Sequence, residues 1–345
     1  MRDSFTPGQV WLDNNGARIH AHGGSIIQVA ERFYWYGENK ERSTPGSGIW
    51  HWGVRCYSST DLYNWDDEGV VIPPEPHDPA SPMHPSKGMD RPHIIYNAPS
   101  RKFVCWVKVM DGARQRSSVF TADSILGPYQ RTRTDLKPLG MNAGDFDLVV
   151  SPSDAKAYYY FERVHSELIC ADLTDDYTDV AGYYSTHFPA AQPPFTREAP
   201  AYFHRAGLHY LITSGTTGYY PNPSEAAVAP TFHGPWRVLG DPHPGDPSRT
   251  SFHSQISSVF KHPAKQDLYI ALADRWLPRY RADSAEALKL HQDAFWPGSG
   301  NDHHAIGDLT EVDTSIADYV WLPIRFEGQR PYLDWRDEWR VEDYR

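Results

Sequence analysis

Apolar and polar positions along this chain change over in short bursts, and the three-to-four spacing of a long amphipathic helix is nearly absent. Five bursts rich in aromatic and β-branched residues predict strands: Phe33–Gly37, Phe103–Val107, Ala157–Phe161, Leu208–Ile212 and Asp267–Leu272. They recur about 50 to 70 residues apart, the interval of propeller blades rather than of helical repeats. A second signature follows each of the first four, a turn of small polar residues closed by an aromatic ring: Ser58–Trp65, Thr121–Tyr129, Ala171–Tyr177 and Ala229–Trp236. Together they predict an all-β chain, a five-bladed β-propeller whose blades hold a few antiparallel strands each. The fifth is completed near Tyr319–Ile324.

The 29 Pro and 25 Gly fall mostly between the runs, as short-strand architectures require. The single helical pattern, Asp283–Leu290, lies in a loop insertion around 279–317 whose remainder, through His303-His304, reads as surface loop. No linker divides the chain, so residues 1–345 are expected to form one catalytic domain with no appended carbohydrate-binding module after Trp339.

Composition narrows the function. A hydrophobic share of 40% supplies a core and excludes disorder. The net charge of -11, without basic runs, excludes a nucleic-acid partner. Three scattered cysteines, Cys56, Cys105 and Cys170, make no disulfide framework and read as buried thiols. No apolar run approaches the roughly 20 residues that span a bilayer, and Met1–Pro7 lacks the apolar stretch of a secretion signal. The chain as written is therefore expected in the cytoplasm, or outside the cell if a signal peptide was removed. The 12 Trp and 21 Tyr suit stacking on sugar rings, and equally suit the core of an all-β fold.

A propeller works at one end of its channel, where the innermost strands begin. Five polar positions fall there, one per blade: His20–Gly24, Asp90-Arg91-Pro92, Asp145, Glu198-Ala199-Pro200 and His253-Ser254-Gln255. Glu198 opens an apolar run instead of lying in a solvated loop, which marks it as a proton donor. Cleavage of a glycosidic bond needs such an acid, a group that activates water on the opposite face, and polar side chains that hold hydroxyls.

Several segments resemble glycoside hydrolase family 43, and within it the exo-β-1,3-galactanase branch: Ala21–Gly24, Phe33–Lys40, Asp90–Asn97, Glu198-Ala199-Pro200, Thr216–Pro223, Ser254-Gln255 and Asp274-Arg275-Trp276. The resemblance implies a five-bladed propeller and inverting hydrolysis, with Glu198 as general acid. It makes Asp145, rather than Asp147, the carboxylate that orients the acid, and Gln255 the residue that positions water, abstracting a proton only as an imidic acid tautomer. Glu38, Asp90, Arg91, Thr216 and Tyr219 match positions that hold the terminal sugar, and His22, expected to bind substrate with them, stands on the first blade, where most of the family has a water-activating Asp. Asp90 replaces the Glu usual in the galactanase branch and has a shorter arm.

His253 is implied either as an ion ligand on the channel axis, for calcium or another ion, or as a structural histidine; no cofactor is required. Asp274-Arg275-Trp276 is expected to be an ion pair fixing the last blade. The substrate expected is an oligosaccharide or polysaccharide with a terminal galactose. An α-L-arabinofuranosidase, a β-galactofuranosidase and a carbohydrate-binding propeller without catalysis are the alternatives.

Overall fold

The computed structural model describes residues 1–280, 284–295 and 312–345. The pair His303-His304 and much of the predicted insertion lie outside the described residues. Five antiparallel sheets follow one another along the chain. The first holds β1 (His22–Val29), β2 (Arg32–Glu38), β3 (Val54–Ser59) and β4 (Asp66–Ile72), and the second β5 (Gly88–Asn97), β6 (Lys102–Asp111), β7 (Arg114–Ala122) and β8 (Gln130–Leu136). The third holds β9 (Ala143–Val150), β10 (Ala157–Arg163), β11 (Glu167–Leu173) and β12 (Val180–His187), and the fourth β13 (Arg197–Arg205), β14 (Leu208–Gly215), β15 (Glu225–Ala229) and β16 (Arg237–Gly240). The fifth is β17 (Gln255–Lys261) and β18 (Tyr269–Arg275), with β19 (Asp318–Tyr319) and β20 (Leu322–Glu327) against β18 and β21 (Arg330–Leu333) outermost. Between β18 and β19 lies the helix α1 (Ser284–Phe295).

The first strands β1, β5, β9, β13 and β17 pack in turn around a closed ring, the arrangement of a five-bladed propeller. The aromatic runs are the second strand of each blade, not the innermost. In β6 every residue from Phe103 to Val109 is buried, because neighbouring blades cover both faces of the sheet; all but Lys108 are apolar. The outer strands β8 and β12 are largely exposed and correspondingly polar.

Much of the tryptophan is spent in closing the ring. Phe5 pairs with Trp339, stacks on it at 4.2 Å, and joins Trp11, Trp35, Trp65, Tyr319 and Trp321 in one buried cluster between the first and last blades. The Ala21 amide donates to the Tyr319 hydroxyl at 2.9 Å, which ties β1 to the last blade. All three cysteines are buried and free.

The feature that builds the site is a bulge in every inner strand. Register breaks between His22 and Ser25, Asp90 and His93, Glu198 and Ala201, and Ile256 and Ser258, and β9 breaks opposite Phe161–Arg163. Gly23 (φ 62), Arg91 (φ 54) and Ala199 (φ 47) sit in the left-handed region within three of these breaks. A bulge bends its strand and re-aims the adjacent side chain, so the second to fifth blades turn polar residues into the mouth of the channel, and the first-blade bulge sets Gly23 against Glu38 of β2.

Candidate active site

The bulged inner strands of the second to fifth blades meet at a pocket of about 220 Å³. Glu198, Asp145, Gln255, Glu38, Asp90, Arg91, Thr216 and Tyr219 all line it, contributed by every blade and by the loop after β14. Two expected residues do not. His22 is fully buried: its Nδ1 lies 2.9 Å from Asp274 Oδ1 and its ring stacks on Tyr319 at 4.7 Å, so the imidazole closes the ring of blades behind the pocket. His253 lies beside a separate recess lined by Tyr220, Asn222 and Trp276, its amide donating to Thr250 Oγ1 at 3.1 Å. Among the described residues no three His, Cys, Asp or Glu side chains gather as a metal site.

The charged floor is a tight network. Asp145 accepts from Lys108 Nζ at 2.8 Å on Oδ1 and from Arg91 Nε at 3.0 Å on Oδ2. Lys108 also reaches Asp90 Oδ2 at 3.2 Å, and Asp90 Oδ1 accepts the Trp50 indole N–H at 2.6 Å. Burial opposes the charge on Asp145, but Arg91 and Lys108 outweigh it and hold the carboxyl well below its usual range. Glu198, 9% exposed, goes the opposite way. Burial, then the charges of Asp145 and Glu162, push it well above the ordinary value against the weaker pull of Lys108 and Arg91. The two carboxyls are thus driven toward opposite protonation states.

Asp147, two residues along β9, faces the other side. It accepts the Tyr202 and Leu148 amides at 2.8 Å, and burial pushes it up to about 7.

A second layer backs the pocket wall. Glu38 Oε1 accepts the Arg91 amide at 3.0 Å, and Oε2 lies 2.9 Å from the Lys40 ammonium. Burial, only partly offset by Lys40, pushes Glu38 up to about 8. Lys40 is itself fully buried; it donates to the Trp50 carbonyl (2.9 Å) and the Tyr219 hydroxyl (3.2 Å) and lies 5.0 Å from the Trp50 ring centroid. Thr216 Oγ1 donates to the Thr196 carbonyl at 3.2 Å. Arg91 Nη1 is buried and makes no hydrogen bond within the protein.

Two carboxylates are seated on glycines. A Cβ at Gly23 would lie 2.3 Å from Glu38 Oε1, and one at Gly144 would lie 2.1 Å from Glu162 Oε2.

The expected ion pair of Asp274 and Arg275 is not what forms. Asp274 binds His22 and the Gly23 amide (3.0 Å), Arg275 donates to the Phe252 carbonyl (3.0 Å), and Trp276 turns into the pocket. Sequence reasoning also missed Trp50, Lys108, Glu162, His165 and His291, the last from helix α1. Lys108 left a signal, a lone ammonium between Val107 and Val109 in an otherwise apolar strand. Trp50 and His291 left none, since both reach the site from connections.

The family model of glycosyl hydrolases family 43 matches residues 18–281. Two solved β-1,3-galactosidases of that family are each 27% identical to the chain. One, with a TM-score of 0.80, is matched over 99% of this chain and 65% of its own length. The other, with galactodeoxynojirimycin, has a TM-score of 0.79 over 98% of this chain and 100% of its own. An exo-β-1,3-galactanase from Phanerochaete chrysosporium, solved with galactose, is 25% identical with a TM-score of 0.78, over 98% of this chain and 68% of its own. This chain thus spans about two thirds of the length of the first and third of these proteins and the whole of the second. No curated protein sequence matches it.

Proposed function

The chain belongs to glycosyl hydrolases family 43, and from that membership we propose an exo-acting, inverting glycosidase that removes a terminal galactose from β-1,3-linked galactan or galacto-oligosaccharides. The observation that carries the reading is the pair of carboxyls held apart in protonation. Asp145 is clamped as an anion by Arg91 and Lys108, while Glu198 is buried near that charge and keeps its proton. Glu198 then protonates the leaving oxygen, and Asp145 sustains the acid form across the pH range of the reaction.

Pocket size supports removal of one unit at a time. About 220 Å³ is smaller than the roughly 300–1,000 Å³ clefts that take drug-sized ligands, which suits one terminal sugar better than a run of them. Asp90, one methylene shorter than Glu, is presented by two donors, Trp50 Nε1 and Lys108 Nζ. With Glu38, Arg91, Thr216 and Tyr219 it supplies polar contacts for hydroxyls, and the Tyr219 and Trp276 rings, 5.0 Å apart, supply apolar faces. The glycosidic C–O bond breaks as water forms a new C–O bond at the anomeric carbon, with a proton given to the leaving oxygen and one lost by the water, chemistry that needs no redox or group-carrying cofactor.

The test is hydrolysis of β-1,3-galactobiose beside nitrophenyl β-galactoside, α-L-arabinofuranoside and β-galactofuranoside, with the first-formed anomer followed by NMR. Release of α-galactose from galactobiose is expected, and Glu198→Gln should abolish it. Cleavage of a furanoside with galactobiose untouched would overturn the galactosidase reading, and binding without product would overturn catalysis.

A further inference from the structure

A pocket that takes one sugar leaves the departing unit at its rim, and strand register shows what stands there. Asp90 pairs with Lys108, and Gly88, two residues nearer the mouth, pairs with Met110. In the third blade Arg163 pairs with Ala143, where β9 begins, and His165 follows in the turn to β11. Met110 and His165 thus lie on the solvent side of Asp90 and Asp145, and both line the pocket. Helix α1, reached from the mouth end of β18, adds His291 to the same pocket. These three side chains lie outside the set that matches the terminal-sugar positions. The His291 residue is only 5% exposed, and its Nδ1 lies 2.8 Å from the Ala287 carbonyl, one turn back in the helix. A carbonyl can only accept, so Nδ1 carries the proton and Nε2 of the neutral ring is an acceptor. Burial lowers the pKa of His291, as does the neighbouring charge of His165, so the ring is neutral near pH 7. Among the described residues Nε2 has no hydrogen-bond partner, and with Nδ1 turned back on the helix it lies on the ring edge that meets the pocket.

We propose that His291 determines specificity for the leaving unit: its Nε2 accepts a hydrogen bond from a hydroxyl of the sugar on the reducing side of the scissile bond. The assignment rests on the galactosidase reading above. A sugar hydroxyl supplies the donor that a neutral imidazole nitrogen needs, and the Met110 side chain on the same rim offers apolar surface to the ring's C–H face. The contact is made to a part of the substrate that does not react, so it is present with a disaccharide and missing with the released monosaccharide.

Calorimetry on Glu198→Gln, which removes turnover, measures affinity for galactose and for β-1,3-galactobiose with His291 intact and with His291→Phe or His291→Leu added. These two replacements differ in shape and both lack a ring nitrogen, and thermal melting checks the fold. Galactobiose should bind about 3–10-fold more weakly in both, the loss of one hydrogen bond, and galactose should change by less than about twofold. Equal weakening of the two sugars would put His291 against the terminal sugar, and unchanged galactobiose affinity would show that it touches no sugar; either result overturns the proposal. A second arm needs no change at His291: Glu198→Gln should bind galactobiose more tightly than methyl β-galactoside, whose leaving group carries no hydroxyl, and equal affinity would overturn the proposal as well. If the wild type neither binds nor cleaves galactobiose, the galactosidase reading fails and the proposal falls with it, whereas cleavage by the wild type together with unchanged affinity in the variants overturns the role of His291 alone.

Discussion

Replacing Lys108 by methionine removes one ammonium from between two buried carboxylates while keeping most of the side-chain length. Its Nζ sits 2.8 Å from Asp145 and 3.2 Å from Asp90, with only 7% of the residue exposed. Burial penalises the Lys108 charge, but Asp145 and Asp90 outweigh it and raise its pKa above the usual value. Arg91 keeps its hold on Asp145 in the variant, and Asp90 keeps the Trp50 N–H, yet both carboxylates lose their shared cation. Stripping one partner from a buried charge pair costs about 3–5 kcal/mol. At about 2.1 cal/mol/K per residue, a chain of 345 residues has an unfolding entropy of about 0.7 kcal/mol/K, so Tm should fall by about 4–7 °C at pH 7. The dependence on pH has a definite sign. Asp145 has a depressed folded-state pKa, so its contribution is complete above the unfolded value of about 3.9 and is lost as pH falls through the folded value. The gap between wild type and Lys108→Met is therefore full from neutrality down to about pH 4 and narrows only below it, as pH falls toward the depressed value. Differential scanning fluorimetry at pH 7 measures it. A Tm change under about 1 °C there would refute the account of the network as a charge clamp.

Three further outcomes follow from the same geometry. Because Glu198 acts protonated and its pKa is raised, kcat/KM should persist above the ordinary glutamate range and decline as pH rises; Asp145→Asn, which removes a charge that raises it, should move that basic limb to lower pH. Gly144→Ala places a methyl against Glu162 Oε2 and should cost about 1–3 kcal/mol, read as a lower Tm, whereas Gly245→Ala, with no atom within 4 Å of its Cβ, should leave Tm unchanged. Trp50→Phe keeps a ring beside Lys40 but drops the 2.6 Å bond to Asp90, a bond to a charged group worth about 1.5–3 kcal/mol, so kcat/KM on galactobiose should fall by about tenfold or more; an unchanged value would show that Asp90 is not held for substrate by Trp50.

Blade number and order were legible because a strand covered on both faces must be apolar at every position, and that requirement writes itself into short contiguous runs such as Phe103–Val107. The place of Glu198 in the pocket was legible for a related reason, since a carboxyl at the head of an apolar run has no solvent to explain it. His22 misled because sequence places it at the blade-one position of the site. The Gly23 bulge and Asp274, far along the chain, instead hold its ring inside the closure of the propeller. Trp276 misled in the opposite sense, reading as part of an ion pair and ending against Gln255 in the pocket.

By itself, then, the order of residues determined five blades, the channel end that carries the polar groups, and Glu198 as a carboxyl among them. Local burial and strand period act over a few neighbours, and such information survives in one dimension. Only the folded ring decided that Arg91, Lys108, Asp145, Gln255 and Glu198 form one connected network, because they lie on four different blades and meet through bulges that re-aim them. The protonation of the acid and the orientation of its neighbouring amide depend on distances of about 3 Å between those side chains, where charge and hydrogen bonding act most strongly. Those distances exist only once the last blade has closed on the first.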